Sequence, residues 1–438
     1  MSEGLAFDRL VQELHHILDS LPDSRKGKNT QYTIKDAALG AFAVFFTQSP
    51  SFLAYQRTMQ QAKGRSNAES LFGLEHIPCD NQVRTLLDPV APAQVFAVFA
   101  LLYDALERAG QVALFRTFAN QLLIALDGTQ YFSSQQIHCE HCSQRRHDNG
   151  QVTYFHQVIT PVIVAPGKAE VIPLEPEFIT PQDGHEKQDC EQEAAKRWIE
   201  SHAGRYSQVT ILGDDLYCKQ PLCALLLQHG FNFILVCKPD SHQTLYEWLA
   251  MLEASGDLAQ FSIRHWNGRF HEVHRYRYAH EVPLRDSEDA LLVDWCELTI
   301  TKASDGTILY HNAFATRHHL DHESVVLVVQ AGRARWKVEN ENTNILKTKG
   351  YHLEHNYGHG KHYLSAVLLT LNLLAFLFHT VLGWVDHKYQ LVRRTLGARQ
   401  TFFQDLQALT RYLHFASWEQ LLDFMINGLE LAMPPNSS

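Results

Sequence analysis

Apolar positions along this chain change their period twice, and each change marks a change of element. Over residues 1–115 they recur at helical spacing. Leu10, Leu14 and Leu18 share one face of an amphipathic stretch, and TIKDAALGAFAVFFTQ and PAQVFAVFALLYDALERAG are strong helical runs. Between them Asp80 and Asn81 stand where they can cap a short helix carrying Val83, Leu86 and Leu87. The prediction is an all-helical N-terminal domain over 1–115, with a helix–turn–helix-like unit suited to DNA.

From residue 118 the pattern becomes that of an α/β protein. NQLLIALDGTQYF is an apolar run ending in an acid. QVTYFHQVITPVIVAP and AEVIPLEPEFI read as a hairpin turned at Pro166-Gly167. A helix (DCEQEAAKRWIESHA), a short strand (QVTILGDD), a helix ending at Gly230 and a strand (FNFILVCKP) follow. That order describes a mixed sheet flanked by helices, the first part of a core over 116–245. Residues 246–320 start helical and then alternate, with turns at Asn267-Gly268 and Asp305-Gly306. They predict a β-rich insertion whose antiparallel strands fill 260–316. Helical periodicity returns over 321–400, the second part of the core, and amphipathic helices close the chain over 401–438.

The run from Tyr363 to Val385 has no formal charge and is long enough to cross a bilayer. Thr370, Asn372 and His379 interrupt it and no second span accompanies it, so it reads as a buried helix of a large domain. The N-terminus lacks a basic segment followed by an apolar run, so no secretory signal is expected. Eight cysteines, mostly within apolar elements, suit a reducing cytoplasm. The net charge of −10 argues against nucleic acid unless Lys, Arg and some of the 26 His are placed locally.

Candidate chemistry centres on three acids. Asp127 ends the run LLIAL and Asp214 ends VTILG. Carboxylates at the ends of neighbouring buried strands are costly unless neutralised, and a divalent cation such as Mg²⁺ or Mn²⁺ does that. Read alone, each Asp also fits an ordinary helix or turn cap. Glu339 lies on a predicted helix one turn after Arg335, a spacing that is also common for surface ion pairs. The order is what matters: strand-Asp, strand-Asp, β insertion, helical Glu. Three converging carboxylates can hold two metals for in-line phosphodiester displacement.

In these features the chain resembles the DDE transposases of bacterial insertion sequences, the cut-and-paste group with a β-rich insertion before the final Glu. The resemblance rests on LDGTQYF, ILGDDLY and RWKVE and runs through most of residues 30–385, the NYGHG segment included. It implies a ribonuclease-H-like core with Asp127, Asp214 and Glu339 as catalytic metal ligands. It also implies double-stranded DNA (terminal repeats and target) as partner, a homodimer on DNA, and a place with the bacterial nucleoid. Tyr217, three residues after Asp214, matches the family's aromatic and favours Asp214 over Asp215. The final motif departs: Gly332 stands at its Tyr and Leu346 at its Lys, with Lys347 and Lys349 nearby to join Arg335 on phosphates. Two other readings share the pattern: a metal nuclease of the same fold without strand transfer, and a DNA-binding protein derived from a transposase.

A second candidate is IHCEHCSQRRH. Cys139, Cys142 and His147 have the reach for tetrahedral zinc, with His156 or Cys190 available as a fourth ligand. Arg145 and Arg146 beside them suit DNA backbone. The plain alternative is a polar loop.

Overall fold

The computed structural model describes residues 5–23, 25, 31–59, 65–181 and 190–432. Residues 1–4, 24, 26–30, 60–64 and 433–438 of the expected helical units, and Asp189 of the expected helix DCEQEAAKRWIESHA, lie outside the described residues. Among the described residues the strands form two sheets, and helices cover the larger one. The protein is a mixed α/β fold.

The strands are β1 (Leu122–Ala125), β2 (Gly128–Ser134), β3 (Ser143–Arg146), β4 (Val152–Ile159), β5 (Val162–Val164), β6 (Ile172–Pro173) and β7 (Glu177–Ile179). After them come β8 (Val209–Gly213), β9 (Asn232–Val236), β10 (Ala259–Trp266), β11 (His271–Pro283), β12 (Leu292–Lys302) and β13 (Ile308–Thr316). The large sheet has the order β10-β11-β12-β13-β9-β8-β1-β5-β6. Only β1, β8 and β9 run parallel; β5 and β6 are antiparallel on one side, and β13 back to β10 form an antiparallel meander on the other. The β-rich segment therefore extends the main sheet. β1 is wholly buried, as its run Leu-Leu-Ile-Ala demands of a central strand covered on both faces.

One hairpin belongs to both sheets. The register pairing Ala125 with Val162 in the large sheet also pairs Gly128 with Ile159 in the small one. Between these pairs the chains bend together. The amide of Thr160 donates to the Asp127 carbonyl (3.1 Å), and Pro161, which has no N–H, starts the next stretch. The expected strand QVTYFHQVITPVIVAP is thus two strands, β4 and β5, in different sheets.

The apolar run forms a 22-residue helix, Leu364–Val385, buried over most of its length. It packs along Ile34–Phe46, with Phe42 against Phe378 (ring centroids 4.9 Å apart). It is the one single helix among the described residues long and apolar enough to span a bilayer, but an all-apolar helix also suits the middle of a large core, and this one lies there. Each polar interruption makes one bond within the core: Asn372 donates to the Tyr351 carbonyl (2.9 Å), His379 Nδ1 meets the Tyr351 hydroxyl (2.6 Å) and Thr370 bonds the Ala366 carbonyl (2.9 Å), while Asn372 Oδ1 and His379 Nε2 stay unpaired. The helices Phe7–Leu18 and Trp418–Gly428 join this helical body, where the Phe7 and Trp418 ring centroids lie 4.8 Å apart.

Asp88 starts that helix. Its carboxylate accepts from the amides of Lys361 (3.0 Å), His362 (3.0 Å) and Leu364 (3.3 Å), and its carbonyl accepts from Tyr363 (3.0 Å). Negative charge at a helix N-terminus meets unpaired N–H groups and the positive end of the dipole. Gly360 makes the approach possible. It has φ +70°, and a Cβ there would run into the Asp88 carboxylate. Asp88→Ala should therefore cost about 1–2 kcal/mol in urea unfolding, near the upper range for a helix cap. Asp88→Asn, which keeps an acceptor, should lose less; equal losses would put the whole effect on the charge, and no loss in either variant would mean that neither the charge nor the capping bonds matter.

Candidate metal centres

The parallel register of β1 and β8 sets Ala125 beside Leu212, and Leu126 N donates to the Leu212 carbonyl (2.9 Å). Just beyond that ladder the two strands end in Asp127 and Asp214, near enough that Asp214 is one of the charges raising the Asp127 carboxyl. Glu339 faces the same spot. Burial pushes the Asp127 carboxyl up to about 7, and repulsion from Glu339, Glu191 and Asp214 adds to it, against an opposing pull from Arg335. Four acids and one arginine thus share the site. The triad is not among the groups whose donor atoms all fall within 4.8 Å of one another. Glu339 is exposed and holds Arg335 at 2.9 Å, so it reaches the site from its rim.

Glu191 escaped sequence reading. It heads the helix Glu191–Ser201, and its Oε1 accepts from the Tyr217 hydroxyl (2.6 Å) and the Gly128 amide (3.1 Å). Burial raises its carboxyl, and Asp214 adds to the effect. Gly128 is needed for space: a Cβ there would come within 2.4 Å of the Glu191 carboxylate. The acidic first turn of that helix was the signal, but ordinary helix starts carry the same one.

Asp214 and Asp215 divide their work. Asp215 accepts from the Lys238 amide (2.7 Å) and from the Ser241 hydroxyl, pinning the turn after β9. Asp214 makes only a local bond, to the Leu216 amide (2.9 Å). Its other oxygen has no partner of that kind.

Glu339 lies on an irregular helix. An α-helix over Ser324–Arg333 tightens to a 3₁₀ turn at Ala334–Trp336, widens to a π-turn over Val338–Thr343 and ends at Asn344–Thr348. Such π segments are frequent at functional sites. Val338, Asn342 and Leu346, spaced by four, face inward, and Asn342 donates to Thr160 (3.1 Å) beside Asp127. Glu341 instead lies near Lys337, whose ammonium donates to the Lys168 carbonyl. The two motif departures follow from burial. A Cβ on Gly332 would come 2.8 Å from Phe314 and 3.0 Å from Ile234, so the helix sits flush on β13 and β9. Leu346 is in the core. Lys347 pairs with Glu354 (2.8 Å), and Lys349 is exposed.

The Cys/His centre is better defined. Cys139 and Cys142 fold into one turn before β3, with sulfurs 3.8 Å apart. His156 Nε2 from β4 lies 3.5 Å from each sulfur, and His359 Nε2 lies 3.4 Å from Cys142 and 3.1 Å from His156. Zinc bonds of 2.0–2.3 Å at tetrahedral angles separate donors by roughly 3.3–3.8 Å, which these spacings approach. His359 Nδ1 lies 3.0 Å from the Gly360 carbonyl, the bond that fixes Nε2 as the free ligand atom. All but Cys139 are buried. The four fit a structural zinc.

His147 is a correction. It is exposed and bonds Thr153 (2.8 Å), because the β3–β4 hairpin carries it away from the thiols. Its place is taken by His156, and the fourth position by His359, whose G-H-G setting gave no sign of ligation. Cys190 begins the Glu191 helix and is no part of the group. Neither family models nor curated proteins give a match to this chain.

Two outcomes follow. Protein purified without chelator should carry an equivalent of zinc at this centre that His359→Ala loses relative to wild type and His147→Ala keeps; the reverse pattern in metal analysis would undo the ligand assignment. At the carboxylates the folded Asp127 binds its proton more tightly than the unfolded chain, so its contribution to stability falls as pH rises from about 4 to about 7. Asp127→Asn should therefore stabilise metal-free protein near pH 8, by a few kcal/mol at most at ~1.4 kcal/mol per unit. The gain should vanish toward pH 4. A destabilised variant in melting curves at pH 8 would show that the carboxylate carries no penalty.

Proposed function

We propose that this chain is a metal-dependent DNA transposase of the DDE type with a ribonuclease-H-like core. The observation that carries this reading is the meeting of Asp127 and Asp214, on adjacent parallel strands, with Glu339 from a helix that follows a β extension of the same sheet. The order β6-β5-β1-β8-β9, two antiparallel pairings followed by two parallel ones, supports the core assignment. Asp127 pushed to about 7 supports a cation-binding role, because excess negative charge in a partly buried site is relieved by a divalent ion.

Asp127, Asp214 and Glu339 would hold Mg²⁺ or Mn²⁺. Held there, a divalent ion would supply Lewis-acid activation of the attacking hydroxyl and charge stabilisation for a phosphodiester's leaving oxygen. The protein's own groups do the positioning. Tyr217 holds Glu191 against the β1–β2 junction, Asp215 fixes the neighbouring turn, and Arg335 restrains Glu339 within reach of a phosphate. Arg145 and Arg146, exposed on β3, and Lys347 and Lys349 offer backbone contacts to double-stranded DNA despite the net charge of −10. The reaction is cleavage at the ends of a mobile element and joining of 3′-hydroxyls to target DNA. Two ends cut together call for a homodimer on DNA, and the nucleoid is the place of action.

Asp214→Asn should lower DNA cleavage in Mg²⁺ by at least about a hundredfold, the scale of losing a principal stabiliser of transition-state charge, with DNA-end binding largely kept. Asp215→Asn should retain substantial cleavage, and Arg335→Ala should weaken cleavage without displacing metal. Normal cleavage by both aspartate variants would remove the DDE mechanism. Cleavage without joining in a strand-transfer assay would leave a nuclease.

A further inference from the structure

A second knot of metal-binding side chains lies just behind the carboxylates, and the transposase reading makes no use of it. Cys218 follows the Asp214–Tyr217 turn, Cys223 lies in the helix Gln220–Gln228, Cys237 follows β9, and His242 immediately precedes the helix Gln243–Ser255. The spacing repeats: Cys218-x₄-Cys223, then Cys237-x₄-His242. All four are buried, with 0%, 0%, 1% and 4% exposure. The sulfurs of Cys218 and Cys237 and a ring nitrogen of His242 all lie within 4.8 Å of one another. Cys223 is buried in the same core, five residues on from Cys218.

Buried cysteines alone are ordinary small apolar residues. The histidine is not ordinary. Its Nε2 is shut off from solvent and has no hydrogen-bond partner; Asp215 Oδ1, at 3.4 Å, is out of line, and both Asp215 oxygens already serve Lys238 and Ser241. That nitrogen is left without a hydrogen bond in a dry interior, and a ring nitrogen of the same imidazole lies within ligating reach of the Cys218 and Cys237 sulfurs, which is the arrangement of an unfilled coordination site.

We propose that Cys218, Cys237 and His242 bind a second zinc ion, with Cys223 as the fourth donor after a change of its side-chain rotamer. Each thiol gives up its proton on binding, and the metal takes the thiolates and the neutral imidazole. The site clamps the end of β8 to the end of β9, directly under Asp214 and Asp215. It is independent of the Cys139 centre and of any DNA chemistry.

The test is zinc stoichiometry on full-length protein purified without chelator. Wild type should hold two equivalents, Cys139→Ser/Cys142→Ser one, and Cys218→Ser/Cys237→Ser one. Cobalt exchanged into Cys139→Ser/Cys142→Ser should show the sulfur-to-metal charge-transfer absorption of three thiolates. If Cys218→Ser/Cys237→Ser fails to fold, the wild-type count and the cobalt spectrum still decide. One equivalent in wild type, lost entirely in Cys139→Ser/Cys142→Ser, overturns the proposal, as does the absence of zinc or a Cys218 disulfide in native protein. Two equivalents in a protein that cleaves no DNA would keep this site and reject the transposase.

Discussion

The backbone pairing of β1 with β8 sets two carboxylates side by side at the end of a buried parallel ladder, and the surrounding structure is arranged around that charge. Bringing Asp127 next to Asp214 is unfavourable by itself, so the neighbourhood must hold them there without help from their own attraction. The backbone supplies that force. Five all-buried residues in β8 and four in β1 fix the register through apolar packing, and the Thr160–Asp127 bond fixes the bend where the chain leaves the sheet. Tyr217 and Gly128 then admit Glu191, and Asn342 ties the Glu339 helix to the same bend. A site built on strand ends is held more rigidly than one built on loops.

The small sheet shows a second way of holding a loop. Its β2–β3 connection has no apolar core of its own, and Arg145, Arg146 and His147 on its far end are exposed. Four soft donors converge there from three separate stretches of chain. The same Gly-His-Gly loop that brings His359 to the thiols also presents its following amides to Asp88. The β2–β3 connection, the short helix and the long apolar helix therefore meet through one segment of five residues, and its glycine at 360 is there because the carboxylate leaves no room for a side chain.

Much of this was legible in the sequence where physics is local. Strand-Asp endings, the turn glycines of the β-rich segment and the buried character of Leu364–Val385 follow from period and composition. What escaped was set by distance along the chain. His359 joins Cys142 across 217 positions, Asp88 caps a helix more than 270 positions away, and Glu191 meets Tyr217 only because the helix Glu191–Ser201 packs back on the end of β8. His147 was preferred over His156 because it is nearer in sequence, whereas strand pairing makes His156 nearer in space. The motif departures at Gly332 and Leu346 also needed the fold: both look like losses until the sheet and core beneath them are in view.

The meeting of Phe7 and Phe46 with Trp418 has a consequence for how the protein is made. A ribosome delivers the chain from its N-terminus, and the first helices emerge with an apolar face whose cover is encoded almost four hundred residues later. The Ile34–Phe46 helix waits likewise for Leu364–Val385. Until the last helices arrive, that surface is open to other nascent chains and to chaperones, and truncated products cannot bury it. For a protein assembled this way, a chain cut before Leu364 leaves the apolar face of the Ile34–Phe46 helix without its cover.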